Sequence, residues 1–268
     1  MSITFSTCWY IIKAKFSPDT YTLWIDNMLS NVNNYNLVVY CNEYSYTQLA
    51  KYLSNPRIMI IIKPFDQFYN YRYANQWNDN HNKNFLLNDR TDWKLNMLWS
   101  EKVHFVNETM TNKYFDTDFY GWCDIGYFRG RPNDLEVNRI SAWPSPNKIS
   151  DLKTNKIYYA CINNNNEYIN QLSRMINNKN EVGLPVNEIP ANQLSIAGGF
   201  FIAHKSKLQW WVDTYAEKLE LYFRNGYLVK DDQIIVADCI FSNLSHFQIC
   251  SENNPNYDNW FLFQRYLL

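Results

Sequence analysis

The sequence predicts one α/β domain with a single, mostly parallel sheet flanked by helices, and three observations carry that expectation. Short apolar runs alternate with helical patterns of 10 to 12 residues through the first third of the chain, the signature of parallel strands covered on both faces. The 268 residues are enough for one sizeable core. No internal repeat and no Pro/Gly-rich or charged linker divides the chain, so one domain over 1–268 is expected.

The elements follow in order. Residues 3–8 read as a buried strand and 19–30 as a helix carrying Trp24, Met28 and Leu29. A second strand is expected at 37–40, a helix at 44–53 and a third strand at 57–62, ending before Lys63-Pro64. The stretch 65–90 is rich in Asn and Tyr without an apolar period, and is predicted as a long loop with one short helix. Asp92 is placed as the cap of one long helix running to about Met110, and 119–123 as a buried strand that runs straight into Asp124-Ile-Gly126. Three prolines mark 129–151 as loop. Thereafter the expectation is a strand at 156–161, a helix at 167–176, loop at 181–192 and a strand at 194–203 around a Gly pair. A helix at 206–224 should stop at Asn225-Gly226, a last helix capped by Asp231 should reach about Ile240, and an edge strand is expected at 247–250.

Composition narrows the function classes. Lys+Arg number 25 against 26 Asp+Glu, a net charge of −1 that leaves no basic field for nucleic acid or an anionic membrane. No run approaches the roughly 18 apolar residues a membrane helix needs, so no membrane span is expected. With no basic leader before the first apolar run and six scattered cysteines lacking a CxxC pair, a reducing, cytoplasmic location is expected (host cytoplasm if the source is viral). The 37 Asn and 21 Tyr against only 7 Gly match the codon bias of an AT-rich virus or microbe. Some of the aromatic rings could also line a carbohydrate or base site.

The sharpest chemical feature lies at 114–129, where an apolar strand ends on Asp124. It resembles the acidic motif at a strand end in GT-A nucleotide-sugar glycosyltransferases, hydrophobic-hydrophobic-hydrophobic-Asp-x-Asp. Carboxylates are needed at that place where a divalent ion must bridge the protein to two phosphates. Here the second acidic position is Gly126. An intact Asp-x-Asp occurs earlier, at Asp116 and Asp118, but it precedes the strand and reads better as a turn with capping side chains.

The order of motifs over nearly the whole chain is similar to the HtrL/YibB-like (WlaTC/HtrL) family. Its T-x-x-T-x-x-y opening is matched by Thr4-Phe-Ser-Thr7-Cys-Trp-Tyr10, its Tyr-x-x-Trp helix by Tyr21 and Trp24, and its later Lys by Lys102 after Trp99. The F-x-T-x-x-F-x-W-x-D-x-G segment is matched from Phe115 through Trp122 and Asp124 to Gly126, with Arg129 following. A Gly-Gly-Phe-Phe run stands at Gly198, Gly199, Phe200 and Phe201, and an Asp-Gln pair at Asp232-Gln233. Where the family often has an Arg after its first strand, Lys13 or Lys15 stands here, which forgoes the bidentate phosphate fork.

That resemblance implies a GT-A-type fold, with 1–124 as a nucleotide-binding half and 125–268 as a sugar and acceptor half. It also implies transfer of a sugar, a hexose in the first instance, from a nucleoside-diphosphate sugar (a UDP-sugar favoured) to an acceptor hydroxyl on a glycan, lipid or protein glycan. Thr7, Trp9, Tyr10, Lys102, Asp124, Gly126 and Arg129 are the expected donor contacts. Gly198, Gly199, Phe200, Phe201 and Gln233 are expected to shape the sugar and acceptor pocket. Asp232, with Asp231 beside it, is the candidate base, one of the two capping the helix and the other facing the cleft. A Mn or Mg ion is a possible cofactor on Asp124, with His246 a weak second ligand. Lys102, expected late on its helix, would neutralise the diphosphate. The alternative is a non-catalytic carbohydrate-binding protein, or pseudo-glycosyltransferase, of the same fold. Single-stranded nucleic-acid binding on aromatic rings would need a basic groove that the net charge does not suggest.

Overall fold

The computed structural model describes all 268 residues. Seven strands form one sheet: β1 (Ile3–Trp9), β2 (Asn36–Cys41), β3 (Ile58–Ile62), β4 (Phe119–Cys123), β5 (Ile157–Ala160), β6 (Phe200–His204) and β7 (Phe247–Cys250). Their spatial order is β3-β2-β1-β4-β6-β5-β7. β1 runs parallel to β2 and β4, β2 to β3, and β5 to β7; β6 alone is reversed, against both β4 and β5. Every residue of β1, β4 and β5 is buried, because layers cover both faces of the sheet. Alternation along the strands then feeds two cores: Val38, Tyr40 and Trp122 face one layer, while Phe5, Leu37 and Val39 face the other.

Ten helices supply those layers: α1 (Pro18–Leu29), α2 (Glu43–Leu49), α3 (Ala74–Lys83), α4 (Trp93–Ser100), α5 (Lys102–Thr111), α6 (Pro146–Ser150), α7 (Asn166–Asn177), α8 (Lys205–Arg224), α9 (Asp232–Ser242) and α10 (Leu262–Tyr266). Their starts follow local chemistry. Ser17 accepts the Thr20 N–H ahead of Pro18, Asn42 accepts that of Ser45, Asp92 that of Lys94, and Asn165 those of Glu167 and Tyr168. No helix is long and apolar enough to cross a membrane, and all six cysteines are buried and free.

The strands and most helices stand where the sequence places them, within a residue or two. The helix expected at 44–53 is α-helical over Glu43–Leu49 and finishes as a 3-10 turn at Ala50–Ser54, and five further segments differ. The expected loop at 65–90 is largely helical, with 3-10 turns at Phe65–Gln67 and Tyr69–Tyr73 leading into α3. Beside Trp77 and Leu87, three of its asparagines, Asn70, Asn80 and Asn84, are buried. Asn80 accepts the Val229 N–H (2.9 Å) and donates to the Val229 carbonyl (2.8 Å), and Asn84 donates to the Lys230 carbonyl (2.9 Å). Asn96 on α4 donates to the same two carbonyls. The long helix expected from Asp92 breaks at Glu101, whose buried carboxylate accepts the N–H groups of Tyr69 (2.6 Å) and Asn70 (3.0 Å). The loop at 129–151 contains a 3-10 turn at Val137–Ala142 and helix α6.

The strand expected at 194–203 splits into two parts. Residues 195–197 hydrogen-bond alongside the end of β5, through Ile162 N–H to the Ser195 carbonyl and Ala197 N–H to the Ala160 carbonyl, and only from Phe200 does the chain pair with β4. The Gly pair is the joint between them. Helix α10, absent from the sequence reading, packs Phe263 against Phe200 (4.6 Å between ring centres), while Phe261 just before it packs on Tyr127 (5.4 Å).

Candidate active site

Strands that run parallel present their carboxyl ends at one edge of the sheet, and a crevice opens there where neighbouring connections diverge. β4 ends on Cys123 opposite Phe200, the first residue of reversed β6. Its outgoing end therefore lies beside the incoming end of β6, and the Asp124 N–H extends the ladder to the Gly199 carbonyl (2.9 Å). α9 begins at this edge as well, held there by the Asn80, Asn84 and Asn96 bonds to 229–230.

Lys102 joins the three segments. Its ammonium lies 3.2 Å from Asp124 Oδ1 and 3.1 Å from Asp232 Oδ2, and donates to the Gly198 carbonyl at 2.8 Å, which uses all three of its protons. The side chain is 9% exposed, and the two carboxylates hold its pKa above the usual lysine value against the opposing effect of burial. Asp124 Oδ1 also accepts the Trp122 indole N–H at 2.6 Å; its side chain remains 42% exposed and opens to the cleft. Asp232 is almost enclosed, and burial pushes its pKa up to about 6 although Lys102 pulls the other way.

The Gly pair lets the main chain lie over both acids. A Cβ at Gly198 would come within 3.0 Å of Asp232 Oδ2, and one at Gly199 within 3.1 Å of Asp124 Oδ2. Gln233, behind them, donates to the Ile196 carbonyl at 2.6 Å. Asp231 pairs with Lys230 through Oδ2 (2.6 Å), and its buried Oδ1 has no partner.

These residues line a cleft of about 330 Å³ that continues into an apolar lobe of about 90 Å³. Tyr21, Trp99 and Phe16 belong to both parts; Trp9 and Tyr10 line the lobe. Three further cations reach the larger part. Lys15 lies over the Trp99 ring (4.8 Å to its centre) with no carboxylate partner, and burial lowers its pKa. Arg129 packs over Trp24 (4.4 Å), donates Nε–H to the Gly126 carbonyl (3.0 Å), and has its other guanidinium nitrogens uncommitted. Arg131 is tied to Asp134 and Asp258. Trp260 and Phe261, from the segment before α10, close the far wall.

Of the residues singled out from sequence, the structure brings together Lys102, Asp124, Gly126, Arg129, Gly198, Gly199, Asp231, Asp232 and Gln233, with Trp9 and Tyr10 in the lobe. Others lie elsewhere. Thr7 is inside β1 and wholly buried, so it does not reach the cleft. Phe200 and Phe201 point to the two cores, Phe200 stacking on Tyr127 and Phe201 on Tyr159, because consecutive strand residues face opposite sides. His246 precedes β7, at the opposite edge of the sheet from Asp124, and stacks on Trp210 (4.0 Å between centres). It is too far away to share an ion with Asp124. Asp116 and Asp118 also sit at that edge; Asp118 accepts the Ser2 N–H as a capping side chain would. Lys102 opens α5 and is not late on a helix, and Asp231 occupies the cap position of α9 without a capping bond.

Sequence reasoning did not assign Trp99, Arg131, Asp258, Trp260 or Phe261 to the site, and named Lys15 only as a departure from the family pattern. Nothing local marks the C-terminal group, since only the fold brings 258–261 over the cleft.

The set of donors bears on a metal. A divalent ion needs oxygens at about 2.0–2.6 Å, yet the space between Asp124 and Asp232 is filled by the Lys102 ammonium. No three His, Cys, Asp or Glu side chains gather anywhere to hold an ion. The residues present do not fit a metal bridging these two acids. No protein-family model matches the chain, and a search of curated proteins finds no significant match.

Proposed function

We propose that the protein is a GT-A-type glycosyltransferase that moves a sugar from a nucleoside-diphosphate sugar to an acceptor hydroxyl. One observation carries this reading: a buried carboxylate with a raised pKa, Asp232, and a strand-end carboxylate, Asp124, meet on one lysine. They do so in a two-part cleft at the carboxyl edge of a mostly parallel sheet. The ordered motifs from Thr4 to Gln233 and their likeness to the HtrL/YibB-like family support it, as does the size of the combined cleft, which suits a nucleotide sugar.

In this reading the aromatic lobe takes the nucleoside, and Lys15 and Arg129 take the diphosphate, because these two cations have no carboxylate partner while Lys102 is fully engaged. The acceptor oxygen bonds to the anomeric carbon as the bond from that carbon to the phosphate oxygen breaks. The electron pair of that bond leaves with the nucleoside diphosphate. The hydroxyl proton passes to Asp232, whose pKa of about 6 leaves it ionised yet basic at neutral pH. This arrangement inverts the anomeric centre. Asp231 Oδ1, buried at the cleft wall without a donor, is suited to a sugar hydroxyl.

The test is transfer by Asp124→Ala and Asp232→Asn. Asp232→Asn is expected to lower kcat by at least about 100-fold, in the range of lost acid–base catalysis. Asp124→Ala is expected to lower it as well, by releasing one of the contacts that fix Lys102 beside Asp232, with the fold of both retained by circular dichroism. Full activity in either folded variant would reject the assignment. Binding of donor by the wild type without turnover, whatever the acceptor, would favour the carbohydrate-binding alternative. One observation leans that way: Lys102 neutralises part of both carboxylates.

A further inference from the structure

We infer that Lys102 is the resident cation of this cleft and takes the position a divalent metal would occupy between Asp124 and Asp232, so that a nucleoside diphosphate is bound without a metal ion. The inference rests on the glycosyltransferase reading for the identity of the ligand.

The geometry of Lys102 is that of a fixed ion. Its three N–H bonds end on oxygens from three separate segments, Asp124 after β4, Gly198 before β6 and Asp232 at the start of α9. Residue 102 is 7% exposed, so no water competes strongly for those bonds. The supports are also placed: the Trp122 indole N–H holds Asp124 Oδ1, and the main chain of the Gly pair passes so close to both acids that a Cβ on either glycine would press on a carboxylate.

A divalent ion entering between the acids would have to displace the ammonium, and one held by Asp124 alone, on its cleft side, would lie close to that ammonium, where like charges repel. Two cations remain for the phosphates without a metal. Lys102 is paired with Asp124 and Asp232, Lys230 with Asp231, and Arg131 with Asp134 and Asp258. Lys15 and Arg129 have no carboxylate partner and lie on the side open to the ligand. Lys102 is thus a positioning residue: it holds the two acids apart and fixed, and the free cations meet the phosphates.

The experiment is a thermal-shift series on the full chain with UDP, GDP and dTDP, each in EDTA and in MnCl2, together with MnCl2 alone. The expected result is a rise of at least about 2 °C with one nucleotide, equal in EDTA and in Mn, and no shift with Mn alone. A rise that requires Mn overturns the inference while leaving the glycosyltransferase reading standing. If no nucleotide raises Tm under either condition, that reading fails and the inference fails with it. Lys102→Met supplies a gain that a merely structural lysine would not produce. Freed of the ammonium, the two carboxylates should bind Mn, so that Mn alone raises the Tm of this variant. A folded Lys102→Met that ignores Mn overturns the inference. If the variant does not fold, the EDTA and Mn comparison on the wild type still decides.

Discussion

Lys102, Asp124 and Asp232 set the behaviour of the site at the scale of single residues, and the shifted ionisation of Asp232 and Lys102 gives it a pH dependence. Asp232 must be deprotonated to accept a proton. Activity is therefore expected to fall tenfold per pH unit below about 6, and kcat/KM measured from pH 4.5 to 8 checks this. An acid limb near 4, the range of an ordinary aspartate, would remove Asp232 from the role of base. Stability carries the same signature. The folded state holds the Asp232 proton more tightly than the unfolded chain, so the contribution of Asp232 is complete below its ordinary value of 3.8 and is lost as pH rises through about 6. Lys102 has the same sign at the other end of the scale: its contribution is complete below 10.5 and is lost in alkali above it. Asp124 and Asp232 were legible in the sequence because each stands at a predictable junction, a strand end and a helix start. Their meeting on Lys102 was not, since no spacing relates positions so far apart in the chain.

The elements that position these residues differ in how openly the sequence declares them. β4 is plain, a short apolar run ending on an acid, and Gly121 within it has a structural reason. A Cβ there would overlap the Phe201 carbonyl oxygen of β6 and crowd the Phe5 ring at 3.0 Å. Gly121→Ala is expected to cost about 3 kcal/mol by forcing β4 from β6, measured as a lower denaturation midpoint. Donor binding should weaken with it, because Asp124 and Gly199 stand at the ends of those strands. α3 was hidden for the opposite reason. Apolar periodicity reveals helices that bury a stripe of hydrocarbon, whereas α3 buries one apolar side chain, Trp77, and Asn80. Asn80, with Asn84 at the C-terminal cap of α3, bonds main-chain groups at 229–230 as a neighbouring strand would. An asparagine excess that reads as codon bias therefore includes side chains that hold the start of α9. The reversal of β6 was equally invisible, as a strand's direction leaves no mark on its own residues.

Across the whole molecule the α/β class and the single sheet were readable, because alternation of strands and helices is a repeated signal that survives local errors. The C-terminal helix was missed because, at five residues, it is too short to show a period, although Leu262 and Phe263 make it part of the core. The free cysteines give a test at this scale. All six are buried, so thiol reagents are expected to label them only as the chain unfolds, and Tm should be the same with and without reductant. Rapid labelling of several thiols in the folded protein would contradict the packing described. The scattered origin of the cleft also governs what a ribosome can release. A chain that stops soon after β6 contains the aromatic lobe, Lys102 and Asp124, but lacks Asp232, the segment clamped by the asparagines, and Trp260. In such a fragment the lysine has lost one anionic partner and the cleft one wall. Incomplete chains should therefore not turn over a donor, and a frameshift late in the gene would be a null even though the groups for the nucleoside and the diphosphate are all translated.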